Sequence, residues 1–322
     1  MQASTFKVRV DAICDEAEGI RSFRVSRVDG QPFDKYEPGA HIDVTAPSGI
    51  TRQYSLCSDP DSNDHLLFAV KREPESRGGS RSLHDEVEIG GELLVGPPRN
   101  LFRLVHEAQF HLLVGAGIGI TPLLSMAYRL ESSGQPFVLH YFARSEEHAA
   151  FLSLLSQERF ARNVKLHFGV EPGDLGTVLR SCLADAQSGT HVYTCGPTPF
   201  MDQVVAIGES TKSIAEVHLE RFRAAPIEPS TSSFEAFDVK VASTGQVIRV
   251  VKDQSIVDAL ATIGIEIDTS CGEGICGTCM VDVVEGTPEH RDHCLSKAER
   301  EGSKVICCCV SRSLSPLLVL DI

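Results

Sequence analysis

The chain has 322 residues, 42% hydrophobic and 23% charged, proportions that exclude wholesale disorder or a collagenous repeat and suggest two or three domains. Its 30 Lys and Arg stand against 44 Asp and Glu, a formal net charge of −14, so no broad basic face exists for a nucleic-acid partner. No apolar run approaches the ~20 residues of a membrane helix, and the polar opening Met1-Gln2-Ala3-Ser4-Thr5 lacks a signal-peptide core; the expectation is a cytoplasmic protein with no membrane partner.

The first hundred residues read as short strands. Phe6, Val8 and Val10 alternate with Lys7, Arg9 and Asp11, the period of a half-buried strand. Further strands are expected at Ile20 to Val25, His41 to Ala46, Thr51 to Ser58 and His65 to Val70, between turns such as Pro38-Gly39, which together suggest a small antiparallel barrel. Within it, Arg52 and Tyr54 share one strand face, followed by Ser55; an arginine suits a phosphate through its planar fork. Taken alone, the two are more often an ordinary cross-strand surface pair. Downstream, Arg77-Gly78-Gly79-Ser80 precedes a helical pattern at Ser82 to Val87, and glycines leading into a helix N-terminus make an anion site or a plain turn.

From Phe110 the rhythm becomes strand, helix, strand, with apolar runs at Phe110 to Val114, Phe137 to Ala143, Val164 to Phe168 and His191 to Thr194. That alternation predicts a doubly wound parallel sheet. Gly115-Ala-Gly117-Ile-Gly119-Ile120-Thr121-Pro122 follows the first strand, with Thr121 expected as the N-cap and Pro122 at the first helical position. Its third glycine falls one place early for the usual dinucleotide fingerprint. A second glycine turn, Cys195-Gly196-Pro197, follows the last strand, so both turns should sit at the carboxyl edge of the sheet, where such folds bind ligands.

Ala224 to Ser233, with Pro226 and Pro229, reads as a linker. Two strands, Phe237 to Val241 and Gln246 to Val251, and a helix opened by Ser255 and Asp258 follow. The chain's 11 cysteines, an odd number with three in a row at 307 to 309, make a poor disulfide framework and point to reduced thiols or metal ligands. Cys271, Cys276, Cys279 and Cys309 form C-x4-C-x2-C-x29-C, the spacing of plant-type two-iron ferredoxins. Four thiolates would also hold zinc, though zinc ribbons pair two C-x2-C knuckles. Strand alternation points Cys308 away from Cys309 and leaves Cys307 able to share its face. Cys14, Cys57, Cys182 and Cys294 lack partners at ligand spacing, and His290 and His293 read as surface or capping residues.

Taken in order, R-x-Y-S, G-x-G-x-G-x-T-P, C-G-P and the cysteine motif resemble the ferredoxin-NADP reductase superfamily, and within it the phthalate dioxygenase reductase family, over essentially the whole chain. The resemblance implies an FMN-binding β-barrel (1–104), a doubly wound NAD-binding α/β domain (105–225), a linker (226–234) and a β-grasp ferredoxin domain (235–322). It places FMN on Arg52, Tyr54, Ser55, Ala69, Lys71, Gly78, Gly79 and Ser80, with Thr121 nearby and Phe222 against the ring. It places NADH on Gly115, Gly117, Gly119, Arg144, Cys195, Gly196 and Pro197, with Cys195, Thr121 and Glu220 at the hydride-transfer site, Glu220 being read otherwise as an exposed strand-end carboxylate. Cys309-Val310-Ser311-Arg312 matches the family's ending and makes Cys309 the fourth ligand of a [2Fe–2S] cluster. The partner implied is a Rieske-type terminal oxygenase. A redox sensor and an FAD-bearing subunit of a dehydrogenase complex remain alternative readings. Ser145-Glu146-Glu147 after the strand Phe137 to Ala143 favours NADH over NADPH, and Arg144 argues the other way. Residues 235 to 322 contain 14 acidic and 8 basic side chains, so docking to a positively charged partner surface is expected.

Overall fold

The computed structural model describes residues 5–74, 78–223 and 236–322. Arg77 and the linker expected at Ala224 to Ser233 lie outside the described residues. The chain divides into two compact units, the first ending at Glu220 and the second beginning at Arg221.

The first unit opens with β1 (Phe6–Ala17), β2 (Ile20–Arg27), β3 (His41–Thr45), β4 (Thr51–Ser55), β5 (Leu66–Lys71), α1 (Gly79–Glu86) and β6 (Glu92–Val95). The alternation read at the start holds, since Val8 and Val10 are fully buried between exposed Lys7 and Arg9. The six strands pair antiparallel in the order β4-β3-β6-β1-β2-β5. The ends of this sheet approach each other where Leu56 bridges Phe68 and the Cys57 amide donates to the Leu67 carbonyl at 2.9 Å. Phe23, Val25, Ile42, Val44, Phe68 and Leu93 fill the interior. The four-residue β6, absent from the sequence reading, is too short to show a period of its own; Leu93 and Val95 alone mark its inner face.

The same unit continues with β7 (Phe110–Ala116), α2 (Ile120–Ser132), β8 (Phe137–Ala143), two one-turn helices α3 (Leu152–Leu155) and α4 (Glu158–Ala161), β9 (Val164–Phe168), α5 (Pro172–Ala184), β10 (Thr190–Cys195), α6 (Thr198–Ser210) and β11 (Ile214–Glu220). The five strands are parallel in the order β11-β10-β7-β8-β9. All seven residues of central β7 are buried, as a strand covered on both faces requires. Leu123, Leu124, Ala127 and Leu130 of α2 pack into one core with Leu113, Leu139 and Tyr141. Leu179 and Leu183 of α5 and Met201 and Val204 of α6 form another with Leu112, Val114 and Val192. Successive strand residues face opposite ways, so helices cover both faces and the fold is doubly wound. The cap expectation is corrected: a 3-10 turn at Gly117–Gly119 leads straight into α2 from Ile120. Thr121 lies inside the first turn, where its hydroxyl donates to the Ile118 carbonyl at 3.0 Å.

The second unit holds β12 (Phe237–Val241), β13 (Val247–Val250), α7 (Ile256–Ala261), β14 (Met280–Glu285), β15 (Pro288–Glu289), α8 (Lys297–Gly302), β16 (Val305–Cys307), β17 (Arg312–Ser313) and β18 (Leu317–Leu320). Its mixed sheet runs β13-β12-β18-β14-β16, with β12 parallel to β18, and β15 and β17 make a small separate ribbon. Ser255 caps α7 as expected, its hydroxyl accepting from the Asp258 amide at 3.0 Å. Ser296 and Glu299 form a reciprocal capping box on α8, a device worth about 1 kcal/mol. Phe237, Val239, Ile256, Leu260, Ile306 and Leu318 form the core.

Candidate functional site

At the carboxyl edge of the parallel sheet, register pairs Gly115 with Cys195 and Cys195 with Glu220. Gly119 packs against the turn that follows β10: a Cβ there would stand 2.7 Å from the Gly196 nitrogen and closer still to the Cys195 carbonyl. Both neighbours are backbone, so only glycine lets the two turns touch. A Cβ at Gly115 would meet Leu123 of α2 at 2.7 Å, which fixes the strand against its helix. Pro197 precedes α6, Arg144 is exposed just beyond β8, and the Ser145 hydroxyl donates to the Glu147 carboxylate at 2.5 Å.

Cys195 is fully buried, and burial, aided by the Glu220 carboxylate, pushes its thiol well above the ordinary value. The Ser55 hydroxyl of β4 donates to the Glu220 carboxylate at 3.1 Å, tying the antiparallel sheet to the end of β11. The expectation of an exposed carboxylate is therefore corrected. Glu220 keeps some surface open to solvent, yet the surrounding protein pushes its carboxyl up to about 8. No sequence signal announced this pairing of residues 165 positions apart.

On the barrel, Arg52 and Ile50 lie over the start of α1, where a Cβ on Gly79 would be 3.4 Å from Arg52 Cγ and 3.2 Å from Ile50 Cγ2. No side chain caps this helix at Gly78, so glycine backbone and the Arg52 side chain, whose guanidinium donates to the Thr51 carbonyl at 2.6 Å, lie together at its start. That donor set suits a phosphate. The Ser80 hydroxyl accepts from the Glu73 amide at 3.2 Å, and Lys71 pairs with Glu73 at 3.1 Å. Tyr54 stacks on Phe68 with ring centroids 5.7 Å apart, and burial lifts its hydroxyl to about 12, so it stays a protonated donor. Ala69 is buried on β5. Phe222 is 38% exposed and belongs to the second unit.

The donor chemistry of the second unit fits an iron–sulfur cluster. Cys271 is in contact with Cys276 and Cys309, and Cys279 with Cys309, so the four thiols named from sequence converge. Cys271, Cys276 and Cys279 are buried and Cys309 is partly so. The Glu273 amide donates to Cys271 Sγ at 3.3 Å, and the Thr278 hydroxyl lies 3.2 Å from Cys276 Sγ, the polar contacts that tune such centres. Gly274 adopts φ +70°, and a Cβ would meet Val310 Cγ2 at 2.5 Å and Asp292 Cα at 3.0 Å; the loop closes this tightly only around glycine.

The alternation argument for Cys307 to Cys309 does not apply, because β16 ends at Cys307 and the next residues turn, with the Ser311 amide donating to the Cys307 carbonyl at 3.0 Å. Cys307 touches Cys279, whereas Cys309 reaches both Cys271 and Cys279. Cys294 is corrected from partnerless: its sulfur lies 3.0 Å from that of Cys307. His290, expected at the surface, has a side chain only 10% exposed beside Asp292. Asp292, which the sequence reading missed, is fully buried; it accepts from the Leu295 amide at 3.0 Å and meets Arg300 at 3.5 Å. Burial raises its carboxyl, but the bonds from His290 and Leu295 and the Arg300 charge prevail and hold it at about 2.

The profile of the 2Fe-2S iron-sulfur cluster binding domain matches residues 239–313. That of the N-terminal domain of dimethylamine monooxygenase subunit DmmA-like proteins matches 93–214. A vanillate O-demethylase oxidoreductase of Pseudomonas putida is 44% identical over 96% of this chain and 97% of its own. Phthalate dioxygenase reductase, described as a modular structure for electron transfer from pyridine nucleotides to [2Fe–2S], superposes with a TM-score of 0.70 at 33% identity, over 99% of this chain and 98% of that one. An intact type IV self-sufficient cytochrome P450 monooxygenase gives a TM-score of 0.88 at 33% identity over 99% of this chain, which spans 41% of that protein. No helix among the described residues is long and apolar enough to cross a membrane. The chain belongs to the phthalate dioxygenase reductase family and is an oxidoreductase, the reductase component of an oxygenase system that uses NADH, FMN and a [2Fe–2S] cluster.

Proposed function

We propose that the oxygenase supplied by this chain is of Rieske type, and that electrons leave through a cluster held by Cys271, Cys276, Cys279 and Cys309. The convergence of those four thiols carries the reading, because it supplies a one-electron outlet that a simple flavin reductase lacks. Bound FMN supplies the conversion between a two-electron hydride donor and a one-electron acceptor, and the cluster supplies the exit.

The protein's part is binding and position. Arg52, Gly78, Gly79 and Ser80 would hold the terminal phosphate at the start of α1, and Tyr54, Ser55, Ala69 and Lys71 would line the flavin. Gly115, Gly117, Gly119, Gly196 and Pro197 give the dinucleotide close access to backbone, with Arg144 at its ribose end. Glu146 and Glu147 repel a 2′-phosphate there and favour NADH. Thr121, Cys195 and Glu220 orient the nicotinamide. Glu220, whose carboxyl is pushed up to about 8 and bonded to Ser55, would present a hydrogen-bonded, largely protonated carboxyl there rather than a full negative charge.

The three modules at 1–104, 105–225 and 235–322, joined by 226–234, are part of this proposal. So is a reducing, cytoplasmic setting, which keeps the four thiols available. The holoprotein should be mixed with NADH and either purified Rieske oxygenases or a P450 haem domain. Turnover with a Rieske oxygenase, slowing as salt screens the acidic 235–322 segment, is expected. Turnover with the haem domain alone would contradict the proposal.

A further inference from the structure

One face of the parallel sheet carries a row of imidazoles. In a strand, residues i and i+2 share a face, and a neighbouring strand lies ~4.8 Å away. Glu216 and His218 of β11 are so spaced, and His191 of β10 pairs with Glu216. His191 Nδ1 lies 2.9 Å from His218 Nε2, and His218 Nε2 lies 3.7 Å from Glu216 Oε2. One ligand atom from each of the three falls within 4.8 Å of the others. Behind them, His111 of β7 pairs with His191 in register. It is fully buried, and neither ring nitrogen meets a hydrogen-bond partner among the described residues.

We propose that His191, His218 and Glu216 form a site for a borderline divalent transition-metal ion such as Zn2+, Ni2+ or Cu2+, with the His111 imidazole adjoining it. Imidazole nitrogens with one carboxylate select this class; Mg2+ and Ca2+ take oxygen ligands. A tetrahedral ion with bonds of ~2.0–2.1 Å holds its nitrogens about 3.3 Å apart, so the present 2.9 Å separation need open only by about 0.4 Å, a small ring rotation. The Glu216 side chain is 62% exposed, which gives an ion access from solvent and leaves the remaining position to water. Bound metal would staple β10 to β11, the two strands that end in Cys195 and Glu220. The site is separate from the FMN and cluster residues and does not depend on their assignment.

The test uses the full-length holoprotein, equilibrated with excess Zn2+, desalted and assayed for zinc per flavin by mass spectrometry, with Tm recorded before and after. Wild type should retain one equivalent and gain thermal stability. His218→Asn and Glu216→Gln should each weaken retention at least tenfold. Glu216→Gln alters an exposed side chain and keeps the comparison valid should the histidine variant unfold. His167→Asn, in the separate trio of His140, His167 and Cys182, should retain zinc as wild type does. The proposal is overturned if wild type keeps no zinc, if the His218 and Glu216 variants keep as much as wild type, or if His167→Asn abolishes retention.

Discussion

Replacing Gly119 with Ala adds one methyl group where two backbone turns touch. The new Cβ would lie 2.7 Å from the Gly196 nitrogen and nearer still to the Cys195 carbonyl, whereas ordinary contacts lie at about 3.5–4.0 Å. No side chain can swing aside, so the turns after β7 and β10 must part by about 1 Å. Overpacking of this kind costs about 1–3 kcal/mol, and a displacement of about 1 Å at a reacting centre costs about 100-fold in rate. Anaerobic stopped-flow, following flavin absorbance after mixing the holoprotein with NADH, should show reduction about 100-fold slower in Gly119→Ala. Flavin content and the cluster spectrum should be unchanged, because the barrel and the second unit do not contain the altered turn. A variant with wild-type Tm and wild-type flavin reduction would refute the close-approach reasoning.

Glu220 titrates at about 8 when folded against about 4.3 when unfolded. The folded chain therefore keeps a proton that the unfolded chain loses, and stability falls as pH rises from about 4.3 to about 8, by about 2 kcal/mol once its solvent-facing part is discounted. Urea unfolding at pH 5 and pH 9 should show this loss in wild type relative to Glu220→Gln; a difference independent of pH would contradict it. Asp292, held at about 2, has the opposite sign, its stabilisation being complete above about pH 4 and lost as pH falls toward 2. Asp292→Ala leaves Arg300 and the Leu295 amide without their carboxylate and should destabilise the second unit by about 3–5 kcal/mol, read as cluster loss at lower temperature. Cys309→Ser should abolish the cluster absorbance and iron content, while Cys307→Ser and Cys308→Ser keep both. The reverse pattern would move the fourth ligand to Cys307 or Cys308.

Much of the architecture was legible because it rests on local period and spacing. The alternation of Val8 and Val10, the apolar runs of β7, β8 and β9, and the Ser255 cap are each written within a few residues. The convergence of Cys271, Cys276 and Cys279 was equally readable, since the three lie within nine positions. What stayed hidden depends on distant partners. Nothing near Ser55 or Glu220 in sequence indicates that they meet, and nothing around Asp292 indicates that it is buried beneath the cluster loop. The Thr121 cap failed for a related reason. A Thr-Pro pair after glycines is an ordinary helix start, but here the 3-10 turn at Gly117–Gly119 starts the helix two residues earlier, and Thr121 bonds back to Ile118 instead.

The central claim is the order of transfer, from NADH through FMN to the cluster and then to the oxygenase. Anaerobic stopped-flow of the full-length holoprotein with NADH, resolved at the flavin and cluster wavelengths and repeated with Cys309→Ser, measures it directly. Loss of flavin absorbance should precede cluster reduction in wild type. The variant should reduce its flavin at the wild-type rate yet deliver no electrons to the oxygenase. Cluster reduction ahead of the flavin, or full oxygenase turnover driven by Cys309→Ser, would contradict the account.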